Sequence, residues 1–327
     1  MRLPTIDISP FLEKSPLETR RRVADDLDKA CREFGAFYLT GHGLPGKPLL
    51  EQMNAFFSLD AADKSDIAVQ PGGFTRGYIG MGEESGSSAL EVKEAFSYGY
   101  PWPEGTVPKN SMQGPNVWPA ETLLPGWRRS MDSFFADMVS IAEGLVRAFS
   151  LSYGYEEEHL SGYCTEGATI SLMRLFHYFP YKAADAFFPD RQDRIGSSAH
   201  TDWGFLTLIL QQDGVTGLQF FHQNEWHDIP PVEGTLLVNC GDYFSLLTGG
   251  EYKSPLHRVV SSGRQRTSGV LFYYPDYDAR IPMLGNQHYS LFSNQQQHAS
   301  PQERFDPSET PFGEYIRQKW EQVRRTT

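Results

Sequence analysis

The chain has 327 residues and a formal charge of −12, from 41 acidic against 29 basic side chains, which disfavours a nucleic-acid partner because such proteins present basic patches. Its three cysteines, Cys31, Cys164 and Cys240, show no CxxC spacing, which argues against a disulfide framework and a thiolate zinc site. No apolar run approaches the roughly 18 residues that span a bilayer, and the opening MRLPTIDISPFLEKSP lacks the apolar core of a signal peptide, so a cytoplasmic monomer with a small-molecule partner and no membrane partner is expected.

In chain order, residues 15 to 35 read as a helix. Ser15 caps it, Pro16 stands at its first turn, Glu18 completes a capping box and Gly35 stops it. A strand over 36–40 and a turn, GHGLP, follow. A helix is expected over 47–59, then a Gly-rich stretch over 70–88, then a long helix from Trp127 to Phe149 with Phe134, Met138 and Leu145 on its apolar stripe. After Thr169 the rhythm changes to short apolar runs broken by turns, among them GFLTLILQQ, TLLVNCGDYFSLLTGG and SGVLFYYP. That pattern predicts an all-β barrel or jelly roll. The expectation is a mainly β fold with flanking helices in one domain over 1–327. It divides into a mostly helical part (1–168), a β-barrel catalytic core (169–309) and a C-terminal helix (310–327).

Within the β region, SSAHTDWGFLTL holds His200 and Asp202. On a strand, two residues apart means the same face. His257 opens another predicted strand far along the chain. Two imidazoles and a carboxylate form the facial triad of non-haem Fe(II) sites, which leaves positions open for co-substrate and O₂. The same donors also suit zinc. Arg266 and Ser268 follow on one strand face, and a guanidinium beside a hydroxyl clamps a carboxylate. That acid clamp favours iron, since a hydrolytic zinc site has no need of one. The other histidines, His42, His159, His222, His227, His288 and His298, have no paired spacing and read as structural or surface residues.

These motifs resemble the isopenicillin N synthase-like branch of the Fe(II)/2-oxoglutarate-dependent dioxygenases. LPTIDISPF, ACREFGAFYLTGHGLP, TRGYIG, GLQFFHQNEWHDIPPVEGTLLVNCGD, HTD, HRV and RTS carry the resemblance nearly end to end. It implies a distorted double-stranded β-helix (jelly-roll) core with flanking helices. It implies Fe(II) on His200, Asp202 and His257, and 2-oxoglutarate on Arg266 and Ser268 with Tyr178 as a third contact. Most relatives have Tyr directly before Pro, whereas here Phe179 intervenes. The implied reaction consumes O₂ and 2-oxoglutarate, releases succinate and CO₂, is supported by ascorbate, and hydroxylates, desaturates or ring-modifies a secondary-metabolite substrate. A same-fold oxidase without 2-oxoglutarate, an ethylene-forming reaction and a catalytically silent binding barrel are the alternatives.

Candidate substrate contacts are Arg76 and Tyr78 in TRGYIG, Phe96 and Tyr98 in EAFSYGYPWP, and Trp203 and Phe205 beside the ligands. The last two also read as ordinary barrel-core aromatics. Arg76, set among Gly72, Gly73, Gly77 and Gly80, is expected to meet an anionic or strongly accepting substrate group; the alternative is an ion pair with Glu83 or Glu84 on a solvated loop. His177, one residue before Tyr178, is expected to face away from the pocket.

Overall fold

The structure is a computed structural model describing residues 1–69, 76–84, 86–165, 167–285 and 306–326. Gly72, Gly73, His288 and His298 lie outside the described residues.

The chain opens with β1 (Thr5–Asp7), α1 (Ser9–Leu12) and α2 (Leu17–Glu33). The expected capping box does not form. Pro16 occupies the cap position with no side-chain cap, and Glu18 pairs with Arg22 instead. Gly35 does end the helix, at φ +70°, where a Cβ would sit 2.0 Å from the Lys253 carbonyl oxygen. Next come β2 (Ala36–Thr40), α3 (Gly46–Phe57), α4 (Ala61–Ser65), β3 (Gly77–Ile79), β4 (Leu90–Glu91), β5 (Lys93–Gly99) and the long α5 (Trp127–Ser152). The second half runs α6 (Gly167–Ile170), β6 (Leu172–Tyr178), β7 (Arg194–Ile195), β8 (Ser197–His200), β9 (Leu206–Gln211), β10 (Leu218–His222) and β11 (Glu225–Asp228). It closes with β12 (Leu236–Cys240), α7 (Asp242–Leu247), β13 (His257–Val259), β14 (Arg266–Tyr273) and α8 (Phe312–Thr326).

An eight-stranded sheet, ordered β1-β2-β12-β9-β14-β6-β5-β3, faces a four-stranded sheet, ordered β11-β10-β13-β8. This is the jelly-roll core with flanking helices. The large sheet is not built from the second half alone, since β1, β2, β3 and β5 come from the part expected to be mostly helical. EAFSYG, which carries the candidate substrate contacts Phe96 and Tyr98, belongs to strand β5, whose seven residues are all buried. Its backbone pairs with β6 from Lys93↔Tyr178 to Gly99↔Leu172. TLLVNCGDYFSLLTGG, read as a strand, turns into helix α7 after Cys240.

The large sheet has two working faces. Its outer face packs on α3 and α5. Gly269 of β14 allows a close approach: a Cβ there would lie 2.6 Å from Met53 Cε and 3.0 Å from Phe134. The resulting apolar cluster runs from Ile6 to Ile316. The inner face meets the small sheet through a second cluster that includes Ile209, Leu218, Phe220, Val259 and Val270.

Strand parity decides two of the expected substrate contacts, and packing just before β9 decides a third. Phe96 and Tyr98 point to the outer face, opposite to Lys93 and Ser97. Phe96 packs 4.7 Å from Phe56 and 5.3 Å from Trp127, and Tyr98 donates to the Met131 carbonyl oxygen. Phe205 stacks on Phe244 at 4.3 Å. All three are fully buried core residues, not pocket walls. Truncating a fully packed aromatic removes its burial and leaves a cavity. Phe96→Ala should therefore lower unfolding free energy by about 3–5 kcal/mol in urea denaturation, while metal affinity of the folded variant stays at the parent value. A loss of affinity with unchanged stability would place Phe96 in the pocket after all.

Candidate active site

Strands β13 and β8 pair antiparallel with His257 directly opposite His200, and their rings lie 4.3 Å apart. Asp202 does not share a strand face with His200. Strand β8 ends at His200, and Asp202 lies in the connection to β9. That connection is pinned by the Asp242 backbone N–H, which donates to the Asp202 carbonyl oxygen at 2.7 Å. The result is compact: both imidazole Nε2 atoms stand 3.7 Å from Asp202 Oδ1. One ligand atom from each of the three residues falls within 4.8 Å of the others.

Hydrogen bonds prepare each of these groups. His200 Nδ1 lies 2.7 Å from the Ser198 carbonyl oxygen, and His257 Nδ1 lies 3.0 Å from that of Pro255. A carbonyl only accepts, so each Nδ1 carries the proton and each Nε2 offers its lone pair towards Asp202. Asp202 Oδ2 accepts from Asn239 Nδ2 at 2.9 Å, which leaves Oδ1 to the histidines. Desolvation by the groups packed around it lowers His200 to about 4, although its ring edge opens to the cleft, so it stays neutral at neutral pH. Burial pushes the Asp202 carboxyl up, but His257, His200 and the Asn239 bond outweigh it and hold it ionised. Two neutral nitrogens and one carboxylate oxygen on one side, with a cleft open on the other, fit a divalent iron with exchangeable positions left over.

The residues expected to clamp an acid lie on the opposing sheet. Arg266 of β14 pairs with Tyr178 of β6, and Ser268 pairs with Phe176 and with Gln211 of β9. Arg266 Cζ stands 5.2 Å from the Tyr178 ring centre, and Nη2 donates to Gln211 Oε1 at 3.0 Å. Among the described residues, Nε and Nη1 of this buried guanidinium have no hydrogen-bond acceptor. Leaving buried N–H groups of a cation unmet is costly, which points to a carboxylate partner from outside the chain. A pocket of about 60 Å³ joins Arg266, Ser268 and Tyr178 to His200, Asp202 and His257.

A second cleft, of about 230 Å³, opens on the other side of His200 and Asp202. Of the expected substrate contacts only Trp203 lines it. Tyr78 instead donates to Glu94 Oε2 at 2.6 Å and faces a different cleft on the outer side of the sheet. Arg76 is buried against Gly99, donates to the Met112 carbonyl oxygen at 3.0 Å, and is lowered to about 10 by burial, with Tyr274 as a neighbour. Glu83 caps the Gly80 N–H, and Glu84 pairs with Arg174 at 2.7 Å. His177 faces away from the iron cleft, towards the same outer cleft as Tyr78.

Arg174, Lys93, Glu84 and Glu91 line the iron cleft and were missed. The signal was present. Counting back from Tyr178 by twos along β6 gives Phe176, Arg174 and Leu172 on the clamp's face. Arg174 holds Ser97 Oγ as well as Glu84, and Lys93 pairs with Glu91. Burial pushes the Glu84 carboxyl up, but the charges of Arg174 and Lys93 bring it down to about 2.

Two family signatures match this chain: the N-terminal region described as "non-haem dioxygenase in morphine synthesis" over residues 3–121, and the 2OG-Fe(II) oxygenase superfamily over 169–275. The 2-oxoglutarate-dependent dioxygenase citB of Monascus ruber is 34% identical over 299 residues, covering 86% of this chain and 87% of that one. The chain belongs to the 2-oxoglutarate- and Fe(II)-dependent dioxygenases. A soybean (Glycine max) relative, homoarginine-6-hydroxylase 2-ODD-C23, is 33% identical over 302 residues, covering 86% of this chain and 88% of its own. Among solved structures, a full-length Neurospora crassa protein in complex with alpha-KG and thymine superposes with a TM-score of 0.78 at 24% identity, over 99% of this chain and 97% of that one, a likeness of fold. The dioxygenase is thus an oxidoreductase that uses Fe(II), 2-oxoglutarate and O₂. Among the described residues no helix is long and apolar enough to cross a membrane.

Deleting a metal ligand should cost more than the roughly 10–100-fold that loss of an outer-shell partner costs. Asp202→Ala and His257→Ala should each weaken Co(II) binding, followed by its visible absorption, by more than about 100-fold, with the thermal midpoint of the metal-free protein little changed. Retained affinity in either variant would remove that residue from the site.

The depressed Glu84 carboxyl sets a pH dependence. Its folded value near 2 lies below the unfolded value of about 4.3, so its contribution to stability is complete above the latter and fades as pH falls towards the former. Glu84→Gln should therefore be less stable than the parent at pH 7 in urea unfolding, and the difference should shrink at pH 3. An equal difference at both pH values would mean that Glu84 is not held by Arg174 and Lys93.

Proposed function

We propose that the dioxygenase hydroxylates a small secondary-metabolite substrate that carries a carboxylate or comparable strong acceptor. The substrate sits in the 230 Å³ cleft and 2-oxoglutarate in the adjoining pocket. The observation that carries this reading is the division of the space around His200 and Asp202. One side ends on a guanidinium with unmet N–H groups, Arg266. The other is walled by Leu172, Trp203, Phe272 and Tyr274 and carries a second guanidinium, Arg174, held by a carboxylate of its own chain.

In this reading Arg266, Ser268 and Tyr178 hold the far carboxylate of 2-oxoglutarate, and Gln211 keeps the Arg266 fork in plane. His200, Asp202 and His257 hold the iron, which with 2-oxoglutarate and O₂ supplies the oxidising power, releasing succinate and CO₂. Arg174 receives the acidic group of the substrate and Glu84 gives way to it. Trp203 and Tyr274 exclude water and orient the C–H bond to be oxidised. Hydroxylation is favoured over desaturation or ring change because the name of the soybean relative specifies it. We also read residues 1–327 as one catalytic unit, since the outer core runs from Ile6 to Ile316. Cys31 and Cys240 lie with sulfurs 3.4 Å apart as free thiols, which supports work in the reducing cytoplasm.

Two substitutions separate the halves of this assignment. Arg266→Gln should raise the KM for 2-oxoglutarate by about 30-fold or more, the equivalent of roughly 2 kcal/mol or above. Arg174→Leu should leave uncoupled succinate formation near the parent rate but raise the substrate KM and lower coupling. Product mass then reads the outcome: hydroxylation adds one oxygen atom, and desaturation removes two hydrogens. Unchanged 2-oxoglutarate dependence in Arg266→Gln would refute the clamp, and unchanged coupling in Arg174→Leu would refute the substrate anchor.

A further inference from the structure

On the outer face of the large sheet, beyond the end of α3, lies a cleft of about 690 Å³, three times the volume of the iron cleft and within the usual range for small-molecule sites. Its walls are aromatic. Phe57, Phe179, Phe187 and Phe188 line it, and Phe187 is 72% exposed at its mouth. With Phe188 and Phe179 beside it, Phe187 gives the mouth of the cleft an aromatic face against which a planar ligand can pack.

Its floor is polar in a region where the same sheet face is otherwise apolar. Glu94 of β5, His177 of β6 and Thr267 of β14 stand in register across three neighbouring strands. Glu94 accepts from Lys64 Nζ at 2.8 Å and Tyr78 Oη at 2.6 Å through one oxygen, and lies 2.8 Å from His177 Nδ1 through the other. Its acceptor capacity is largely used. Thr267 N–H donates to Gln212 Oε1 at 2.8 Å, and Thr267 Oγ1 donates to Asn54 Oδ1 at 2.5 Å. Both amide oxygens are therefore occupied, and what Asn54 and Gln212 offer the cleft is their NH₂ groups. Lys64 uses two of its three protons, on Glu94 and on the Phe57 carbonyl oxygen at 3.0 Å. Glu83 at the rim accepts the Gly80 N–H at 2.6 Å through Oε2, and apart from its second oxygen the groups left over on this floor are chiefly N–H donors, beside aromatic walls.

We propose that this outer cleft is a second ligand site, for a small carboxylate with a planar apolar body. The body lies against Phe187, Phe188 and Phe179, and the carboxylate takes its hydrogen bonds from Lys64, Asn54 and Gln212. The site stands back to back with the 2-oxoglutarate pocket. His177, Thr267 and Gln212 are the chain neighbours of Tyr178, Arg266 with Ser268, and Gln211, which face the other way. A ligand that tightens the outer row therefore acts on the strand ends that carry the clamp, and the two ligands change one another's affinity equally. This coupling rests on the clamp assigned above; binding in the outer cleft does not.

The test uses 4-fluorobenzoate, observed by fluorine NMR, with the full-length protein, Fe(II) and saturating 2-oxoglutarate under argon, so that the clamp is occupied. Saturable binding is expected, with 4-fluorobenzamide about tenfold weaker because it lacks the charge. Phe187→Ala, at an exposed position that the fold does not need, should weaken 4-fluorobenzoate about fivefold or more. Gln212→Leu should do the same, whereas Arg174→Leu should not. Absence of binding, binding indifferent to Phe187→Ala, or binding abolished by Arg174→Leu would each overturn the site. A second readout tests the coupling: saturating 4-fluorobenzoate should change the KM for 2-oxoglutarate at least about twofold in the parent and not in Phe187→Ala. Binding with the outer-cleft signature but no change in that KM would overturn the coupling alone. If Arg266→Gln also leaves 2-oxoglutarate dependence unaltered, the clamp assignment has failed and the outer site still stands.

Discussion

Side chains alternate across a strand, and in β5, β6 and β14 that alternation separates chemistry from packing one residue at a time. Along β6, Tyr178, Phe176 and Arg174 face the small sheet and the iron cleft, while His177 and Leu175 face the helical layer. Along β14, Arg266 and Ser268 face inwards, and Thr267 and Gly269 outwards against α3 and α5. A slip of one residue in the pairing would exchange the two sets and bury the clamp among Phe134 and Met53. The register of this sheet is therefore as much a part of the active site as the ligands are.

The two buried guanidiniums of the site are treated differently by their surroundings. Arg174 is met within the chain by Glu84 and Ser97. Among the described residues Arg266 donates to Gln211 and lies against Tyr178, and burial pulls its guanidinium below its ordinary value with Tyr178 as a partial counterweight. A buried cation left short of acceptors is tolerated where an anion arrives to complete it, and the family to which the chain belongs uses a dicarboxylate. The triad is the converse case. Carbonyl acceptors fix each imidazole tautomer, and Asn239 holds Asp202, so its three donor atoms are aimed before a metal arrives.

The N-terminal half does more than cover the barrel. It supplies four of the eight strands of the large sheet, the aromatic cluster of Phe56, Phe96 and Trp127 behind it, and Lys93 and Glu84 in the iron cleft. The cleft beside His200 and Asp202 is therefore lined from both halves, while His200, Asp202, His257, Arg266, Ser268 and Tyr178 all come from the second half.

The sequence by itself determined the parts that depend on local spacing or on residue chemistry. The helices around α2, α3 and α5 followed from apolar periodicity and stop signals, and the jelly-roll class from short strands in rapid succession. The set His200, Asp202 and His257 and the pair Arg266 and Ser268, which the fold brings to one pocket, could be picked out by residue type, because few arrangements place two imidazoles, a carboxylate, a guanidinium and a hydroxyl at such spacing. Tertiary structure decided whatever depended on which face of a strand meets which layer. TRGYIG was legible as part of a Gly-rich stretch and EAFSYG as a segment with two aromatics, but nothing local says that Lys93 and Ser97 turn inwards while Phe96 and Tyr98 pack on α5. That choice is made by pairing with β6, far along the chain. The same holds for Asp202, which reaches the histidines from a connection rather than from their strand, held there by Asp242 and Asn239. Side-chain period is written in the sequence, but its phase relative to the core is set only when distant strands find their register.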